Sequence, residues 1–555
     1  MFTRSKFVAS PILVAVVIAL FFLFGLPSGG TTQNDPSNPK SVEAGESNFF
    51  STAAEESYST YQLPGDGDLW PSCWADDNDL YTANGDGTAF NRHVKRYDMA
   101  VSRIAGVPPA LSGKTLATNV GTNWSGPGYN RKPTGMLCVD GAIYLAFQNL
   151  DSSHFDDAPA ASIARSTDHG LTWTWDRTAP MFGTPGRPHD QLDHKFTTIF
   201  FLDYGRDSAN AVDQYVYAYG LDNNWRFQHK LFLARVPRAS VQNRQDWEFF
   251  GGTDGSGNPA WNKDMRKKAA VLTDDRLLYR KKLGKTKTDC NPNQAVIGQG
   301  GAVYDAPLRR YIFSSWSCAT HEFYEAQYPW GPWRHFLSND FGHVRSTHNY
   351  GQYGTSIPSK FISADGKTLY LQSNIWTFAY TFSLRKIYLE TYIPALPTNT
   401  ASNANLALLS GVRAISKSTR HGSLCGFNCS DQLNSKLLNI SEDDFDDESK
   451  ALDWWGYIWP HPSNMNRVVY WTGRGSADGG WFSGDLKVQV RQNFSWIDVS
   501  GITVSPPYLY RPIFGEKSYT FSFPDTWGDG VRIIGRPGGS EHFTSIIHLG
   551  FYFEK

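Results

Sequence analysis

Acid/base cleavage of a glycosidic bond needs two carboxyl groups, about 6.5–9.5 Å apart for inversion or about 5–5.5 Å for retention. The sequence offers three places for them. Asp76 and Asp77 follow Trp74 and precede the apolar pair Leu80-Tyr81. Adjacent strand positions face opposite ways, so one of the two can face a cleft while the other caps a turn. Asp190 and Asp193 sit in His189-Asp-Gln-Leu-Asp193-His194-Lys195, ahead of the apolar run Phe196–Leu202. There Asp193 is the second catalytic candidate and Asp190 a substrate contact, against the alternative of solvated loop charges. Glu322, beside His321, serves as a general acid if burial raises its pKa. Lys132, Arg206 and Lys360 are cations for an anionic or hydroxyl-rich substrate, or members of ordinary pairs, such as Arg206 with Asp203 or Asp207. Trp74 can stack on a sugar ring. Asp86, inside Gly-Asp-Gly, reads as a turn residue.

Other chemistries lose support. His321-Glu-Phe-Tyr-Glu325 lacks the second His of a zinc-protease helix, and Gly-Lys-Thr occurs without a phosphate-binding loop. Neither G-x-S-x-G nor G-x-G-x-x-G is present. No cofactor is implied. The acidic run Glu442–Glu448 could hold a structural Ca²⁺, but it lacks a calcium loop's spacing and reads more simply as a solvated face. Lys plus Arg number 52 against 53 Asp plus Glu, so no global field attracts nucleic acid.

These residues need elements to hold them. Short β-branched or aromatic runs recur between turn residues: Gly141–Phe147, Gln214–Tyr219, Arg310–Ser314 and Thr368–Gln372. With 50 Gly and 30 Pro in 555 residues and almost no helical periodicity, an all-β protein is expected. Residues 63–393 fit a β-propeller of five to six blades, since radial repetition buries many strands without long open edges. Residues 27–62 and 394–407 read as linkers. Residues 408–555, with Leu486–Arg491, Tyr519–Phe523 and Val531–Ile534, fit a β-sandwich rich in tryptophan, including Trp454, Trp455, Trp459, Trp471 and Trp481.

Residues 7–26 are uncharged and follow Arg4 and Lys6. That pattern predicts a signal-anchor or cleaved signal peptide, and an extracellular body either secreted or tethered through 7–26 with its C-terminus outside. Six cysteines, Cys73, Cys138, Cys290, Cys318, Cys425 and Cys429, allow up to three disulfides. Sequons at Asn123, Asn428, Asn439 and Asn493 are compatible with glycosylation.

Two resemblances sharpen this reading. Ser166-Thr-Asp168-His-Gly170-Leu-Thr172-Trp173 resembles the Asp-box of sialidases and related propellers, a structural turn rather than a catalytic one. The run Trp74-Ala-Asp-Asp77-Asn-Asp-Leu-Tyr-Thr-Ala-Asn-Gly85-Asp-Gly87 resembles the opening of a family of secreted propellers of unknown function, some of whose relatives are endo-D-arabinanases. Lys132-Pro-Thr-Gly135-Met136, Phe201–Asp207, Gln299–Tyr304, Tyr328–Trp333 and Pro358–Gly366 fit the same family. Tyr519–Phe523, Gly530–Gly539 and Phe543–Ile546 resemble a discoidin-like, galactose-binding-like sandwich. Together they imply a carbohydrate-active protein hydrolysing an arabinan-like polysaccharide, with a polysaccharide or glycoconjugate as partner. A non-catalytic glycan- or cell-surface-binding propeller and a polysaccharide lyase are the alternatives.

Overall fold

The computed structural model describes residues 44–56, 61–91, 94–122, 129–151, 157–183, 195–222, 228–278, 294–317, 320–340, 354–376, 380–391, 404–408, 412–417, 442–443, 451–492, 495–512 and 516–554. All belong to the unit formed by Ser41–Lys555. Among them there is no α-helix, only strands and short 3-10 turns.

Two strands, β1 (Phe50–Glu55) and β2 (Tyr61–Leu63), precede the first complete sheet. That sheet is β3 (Asp66–Trp74), β4 (Leu80–Ala89), β5 (Tyr97–Val107) and β6 (Ala110–Thr118), paired in chain order. The second repeats the pattern with β7 (Tyr129–Val139), β8 (Ala142–Asp151), β9 (Ala160–Ser166) and the short β10 (Phe182–Gly183). The third holds β11 (Thr198–Asp203), β12 (Tyr215–Leu221), β13 (Lys230–Pro237), β14 (Glu248–Thr253), β15 (Pro259–Asn262) and β16 (Ala270–Thr273). After the small hairpin β17 (Leu277–Leu278) and β18 (Gln294–Ala295) comes the fourth, β19 (Gly300–Asp305), β20 (Arg310–Ser317), β21 (Thr320–Ala326) and β22 (Arg334–Asp340). In the last sheet β23 (Thr368–Trp376) pairs with β24 (Tyr380–Thr391), and β1 and β2 pair with the far side of β24.

Burial follows position in each sheet. β8 is buried along almost its whole length, as a strand covered on both faces requires, whereas β6 at the rim alternates half-buried and exposed residues. The leading strands contact one another in turn. Cys73 on β3 is disulfide-bonded to Cys138 on β7. β7 packs on β11, and β11 pairs in parallel with β19 through Leu202–Ala302 and Asp203–Val303, which joins the third and fourth sheets into one ten-stranded sheet. Gly301 of β19 lies against Ser356, and Gly354 against Leu69 of β3, which closes a propeller-like ring.

The expected linker 27–62 needs correction at its C-terminal part. Phe50–Glu55 and Tyr61–Leu63 are strands of the last sheet, with Thr52 opposite Glu390 and Leu63 opposite Phe382. The segment looked like a linker because its apolar face, Phe50 and Ala53, is small, and its partner strand is over 300 residues away in sequence. A buried charge cluster locks it in place. Glu55 on β1 accepts hydrogen bonds from His321 Nδ1 (2.9 Å), Asn339 Nδ2 (2.9 Å) and Arg385 (3.0 Å), from β21, β22 and β24.

The C-terminal region is one curled eight-stranded sheet. Its strands are β25 (Arg413–Ser416), β26 (Glu442–Asp443), β27 (Asp453–Thr472), β28 (Phe482–Gln492), β29 (Ser495–Asp498), β30 (Thr503–Ser505), β31 (Ser518–Pro537) and β32 (Ser545–Tyr552). The 20-residue strands β27 and β31 pair with each other, and register shifts after Ile458 and Met465 bend them around a core that includes Trp455, Trp459 and Phe551. Trp455 and Trp459 therefore serve packing, each indole N–H bonded inside, to Thr544 Oγ1 and the Gly528 carbonyl. Leu406 and Ala407, expected in a linker, are buried in this same core.

Residues 7–26, Asp190, Asp193, Cys290, Cys318, Cys425, Cys429, the sequon asparagines and residues 444–448 of the acidic run lie outside the described residues. Among the described residues no helix is long and apolar enough to cross a membrane.

Candidate functional site

Register divides the predicted residues between two ends of the leading strands. β3 pairs Trp74 with Leu80 beside its hairpin and Asp68 with Gly85 at its start; β7 pairs Val139 with Ala142 and Lys132 with Gln148. The Cys73–Cys138 bond aligns the two strands at the hairpin end. At about 3.3 Å per residue, Asp68 and Lys132 lie about 17–20 Å from that bond.

At the hairpin end, Asp76 and Asp77 are exposed in the β3–β4 turn rather than on a strand. Asp77 accepts from the Asp79 amide (3.0 Å) and from the Tyr81 hydroxyl (2.7 Å), so it does cap the turn. Asp76 pairs with His169 at 2.8 Å; that hydrogen bond lowers the carboxyl pKa and raises that of the imidazole. The turn presenting His169 is closed by Asp168, which accepts from Ser166 Oγ (2.8 Å) and from the amide and hydroxyl of Thr172 (2.9 and 2.6 Å). Asp76, Asp77 and His169 bring one ligand atom each within 4.8 Å of one another, a spacing that can hold a cation. Trp74 donates to Asn78 Oδ1 (3.1 Å). Arg206 donates to the Asp76 carbonyl instead of pairing with Asp203 or Asp207. Those two carboxylates accept from backbone amides, Asp203 from Gly205 and Ser359, and Asp207 from Gly141. Lys360 is buried 3.9 Å from Asp79, and burial lowers its pKa.

Glu322 is fully buried on β21, accepting from Arg276 (3.2 Å), His335 Nε2 (2.9 Å) and Ser338 Oγ (2.7 Å). Burial alone would raise its pKa, as the general-acid reading required. The Arg276 and His335 contacts outweigh burial and hold it at about 2.

The opposite end holds a pair of carboxylates that the sequence reading missed. Asp68 on β3 and Asp86 on β4 both contact Lys132 Nζ, so their oxygens lie within about 5 Å of each other. Asn374 of β23 donates to Asp68 (3.2 Å), and Asn130 donates to both oxygens of Asp86 (2.8 and 2.9 Å). Burial opposes the charge on Lys132, but the two carboxylates more than offset it and raise the lysine pKa. Asp86 is the open member, with 35% of its side chain exposed, and is therefore more than a turn residue.

The local sequence makes this arrangement possible. Asp66 and Asp86 each lie between two glycines, in facing Gly-Asp-Gly runs. A Cβ at Gly85 would press within 3.1 Å of the Lys132 stem, and one at Gly87 within 2.1 Å of the Asp66 carbonyl. Immediately after Asp68 the backbone turns left-handed at two bulky residues, Leu69 (φ 83°) and Trp70 (φ 68°), and Asp86 shares that region at φ 39°. Such conformations cost about 1–3 kcal/mol each and persist where surrounding contacts enforce them, characteristically at functional sites. The enforcing contacts are a fully buried Trp70 packed on Phe90 and Phe382, and a Leu69 carbonyl held by Gln372.

Around this end, polar side chains from several sheets are buried with atoms that have no protein partner among the described residues. They include Asn84 Oδ1, Thr134 Oγ1, Gln148 Nε2, Gln299 Oε1, Thr355 Oγ1 and Asn374 Oδ1. Gln299 spans toward β7 by donating to the Pro133 and Thr134 carbonyls, and Thr198 donates to Gln148 Oε1. Buried groups of this kind take their partners from water or from a hydroxyl-rich ligand.

The chain belongs to the family described as Domain of unknown function (DUF4185), whose model matches residues 91–384, more than half of its length. No curated protein sequence matches it. Among solved structures it is similar to the GH43_1 enzyme of Xanthomonas citri (12% identity, TM-score 0.33), over 62% of this chain and 92% of that one. It is also similar to an exo-β-1,3-galactanase of Phanerochaete chrysosporium determined with galactose (9% identity, TM-score 0.33), over 90% and 100%. A family 32 carbohydrate-binding module of Clostridium perfringens NanJ, in complex with galactose, is similar over 26% and 95% (12% identity, TM-score 0.21).

Proposed function

We propose that the protein is an extracellular or membrane-tethered carbohydrate-active enzyme that hydrolyses glycosidic bonds at the Asp68–Asp86 end of a five-bladed propeller, with a discoidin-like sandwich behind it. The observation that carries this reading is the carboxylate pair bridged by Lys132. Its separation suits a retaining pair, and it lies in a shell of buried amides and hydroxyls with unused hydrogen-bonding capacity. Asp68, buried and fixed by Lys132 and Asn374, takes the nucleophile's place. Asp86, more open to solvent, takes the acid/base partner's place. The Cys73–Cys138 disulfide and the apolar run 7–26 after Arg4 and Lys6 support export. The Ser166–Trp173 turn then acts as a structural Asp-box. In this scheme Asp193, as a further catalytic carboxylate, and Asp190, as a substrate contact, complete the proposed set, and Asp76, Asp77, Arg206 and Lys360 lie at the opposite end of the leading strands.

The test is an activity screen of the purified protein on a polysaccharide panel that includes arabinan. It reads new reducing ends and unsaturated, ultraviolet-absorbing products together. Reducing ends without unsaturation are expected. Unsaturated products would instead identify a lyase, and binding without turnover would identify a glycan-binding protein; either overturns the hydrolase reading.

A further inference from the structure

A groove of about 620 Å³ opens between the β14–β15 turn of the third sheet and the β21–β22 turn of the fourth. Its walls carry Phe250, Thr253, Ser256, Asn258, Tyr328 and Trp330, and none of its lining residues is charged. The Tyr328 and Trp330 rings are stacked, with centroids 5.5 Å apart and planes 6° from parallel, and Tyr328 is 48% exposed.

Both walls are pre-set. In the β14–β15 turn, Asp254 Oδ1 accepts from the amides of Ser256 and Asn258 (2.9 Å each), and its Oδ2 accepts from Asn258 Nδ2 (3.1 Å). On the other wall the Pro329 carbonyl accepts from the buried Tyr219 hydroxyl at 2.7 Å, and the Gly331 amide donates to the Tyr328 carbonyl at 2.9 Å. The segment carrying the aromatic pair is thus held by hydrogen bonds, and Tyr328 remains about half exposed. A flat apolar ring face, small hydroxyl and amide groups opposite it, and no ionic side chain match one ligand chemistry. That ligand is a neutral sugar ring, which presents C–H bonds on one face and hydroxyls at its edge.

We infer that this groove is an auxiliary binding site for a neutral polysaccharide chain, separate from the Asp68–Lys132–Asp86 site. The inference rests on the carbohydrate-active reading for its ligand class but not on catalysis. A second grip on the same polymer would raise the local concentration of glycosidic bonds near the protein. The residues involved stand on turns of the third and fourth sheets, whereas the carboxylate pair stands on β3 and β4 of the first.

The experiment is affinity gel electrophoresis and titration calorimetry of the full chain with soluble arabinan, arabinogalactan and arabinoxylan, and with polygalacturonate as a charged control. Proteins compared are the wild type, Tyr328→Ala, Tyr328→Phe and Asp68→Asn, each checked for an unchanged melting temperature. At least one neutral polymer should bind. Tyr328→Ala should weaken that binding by at least about fivefold, while Tyr328→Phe retains it. Repeating Tyr328→Ala in the Asp68→Asn background, where the hydrolase reading expects no cleavage, separates binding from turnover, so failure of the hydrolase reading leaves the Tyr328 result standing. No binding of any neutral polymer, unchanged binding by Tyr328→Ala, or equal binding of polygalacturonate would overturn the inference.

Discussion

Replacing Glu55 by Gln tests how the N-terminal strand closes the last sheet. The substitution keeps the shape and one acceptor but removes the charge that faces Arg385 and His321 inside the protein. Burial raises the Glu55 pKa, and His321 and Arg385 reverse that to bring it to about 2 from 4.5. Two and a half pH units correspond to about 3 kcal/mol of stability at neutral pH. Because the folded-state value is depressed, this stability is present above pH 4.5 and is lost as pH falls toward 2. Burial lowers the Arg385 pKa, so the guanidinium is costly to keep inside once its anion is gone. Urea unfolding followed by tryptophan fluorescence at a series of pH values measures the effect. Glu55→Gln should be about 3 kcal/mol less stable than the wild type at pH 7, with the gap narrowing below pH 4.5. A gap under about 1 kcal/mol at pH 7, or one that does not change with pH, would refute the reasoning.

Asp305 should behave oppositely. Burial raises its carboxyl to about 7, and only Oδ1 is engaged, by the Leu308 amide at 3.1 Å. A raised carboxyl gives up stability as pH climbs from 3.8 through 7. Asp305→Asn, which retains that acceptor, should therefore be about 2 kcal/mol more stable than the wild type at pH 8 and no more stable at pH 4, in the same urea assay. Replacing Cys73 and Cys138 together by Ser opens a 65-residue loop and should cost about 4 kcal/mol, read as a lowered melting temperature that no longer responds to reductant. Lys132→Met leaves two carboxylates within about 5 Å with no cation between them. Their repulsion at an effective dielectric of about 20 is about 3 kcal/mol, and adding Asp86→Asn should recover most of that loss in a double-mutant cycle.

Strands were the legible part of this sequence. Gly141–Phe147, Gln214–Tyr219, Arg310–Ser314 and Thr368–Gln372 lie largely or wholly within β8, β12, β20 and β23, because short β-rich runs between turn residues encode local structure. Tyr519–Phe523 and Val531–Ile534, read as two strands, are parts of the single long β31. Long-range pairing was not legible. Nothing near Phe50 announces that its partner is Thr391, and nothing near Asp68 announces Lys132 or Asn374. The facing Gly-Asp-Gly runs, one ending just before Asp68 and the other centred on Asp86, were the one local signal for the carboxylate pair, and they resemble ordinary turn punctuation until register sets them side by side. Asp76 and Asp77 drew attention because they precede an apolar strand, yet they occupy the hairpin turn that enters it. Glu322 shows why burial alone does not make an acid: Arg276 and His335 are distant in sequence and decide its charge.

The central claim is that glycosidic chemistry belongs to the Asp68 end of the leading strands. The most direct measurement compares the wild type, Asp68→Asn and Asp76→Asn on whichever polysaccharide the wild type cleaves, reading initial rates of reducing-end release from proteins of matched melting temperature. The account predicts a loss of about a thousandfold for Asp68→Asn and a rate within about threefold of wild type for Asp76→Asn. Full activity in Asp68→Asn, or a comparable collapse in Asp76→Asn alone, would contradict it.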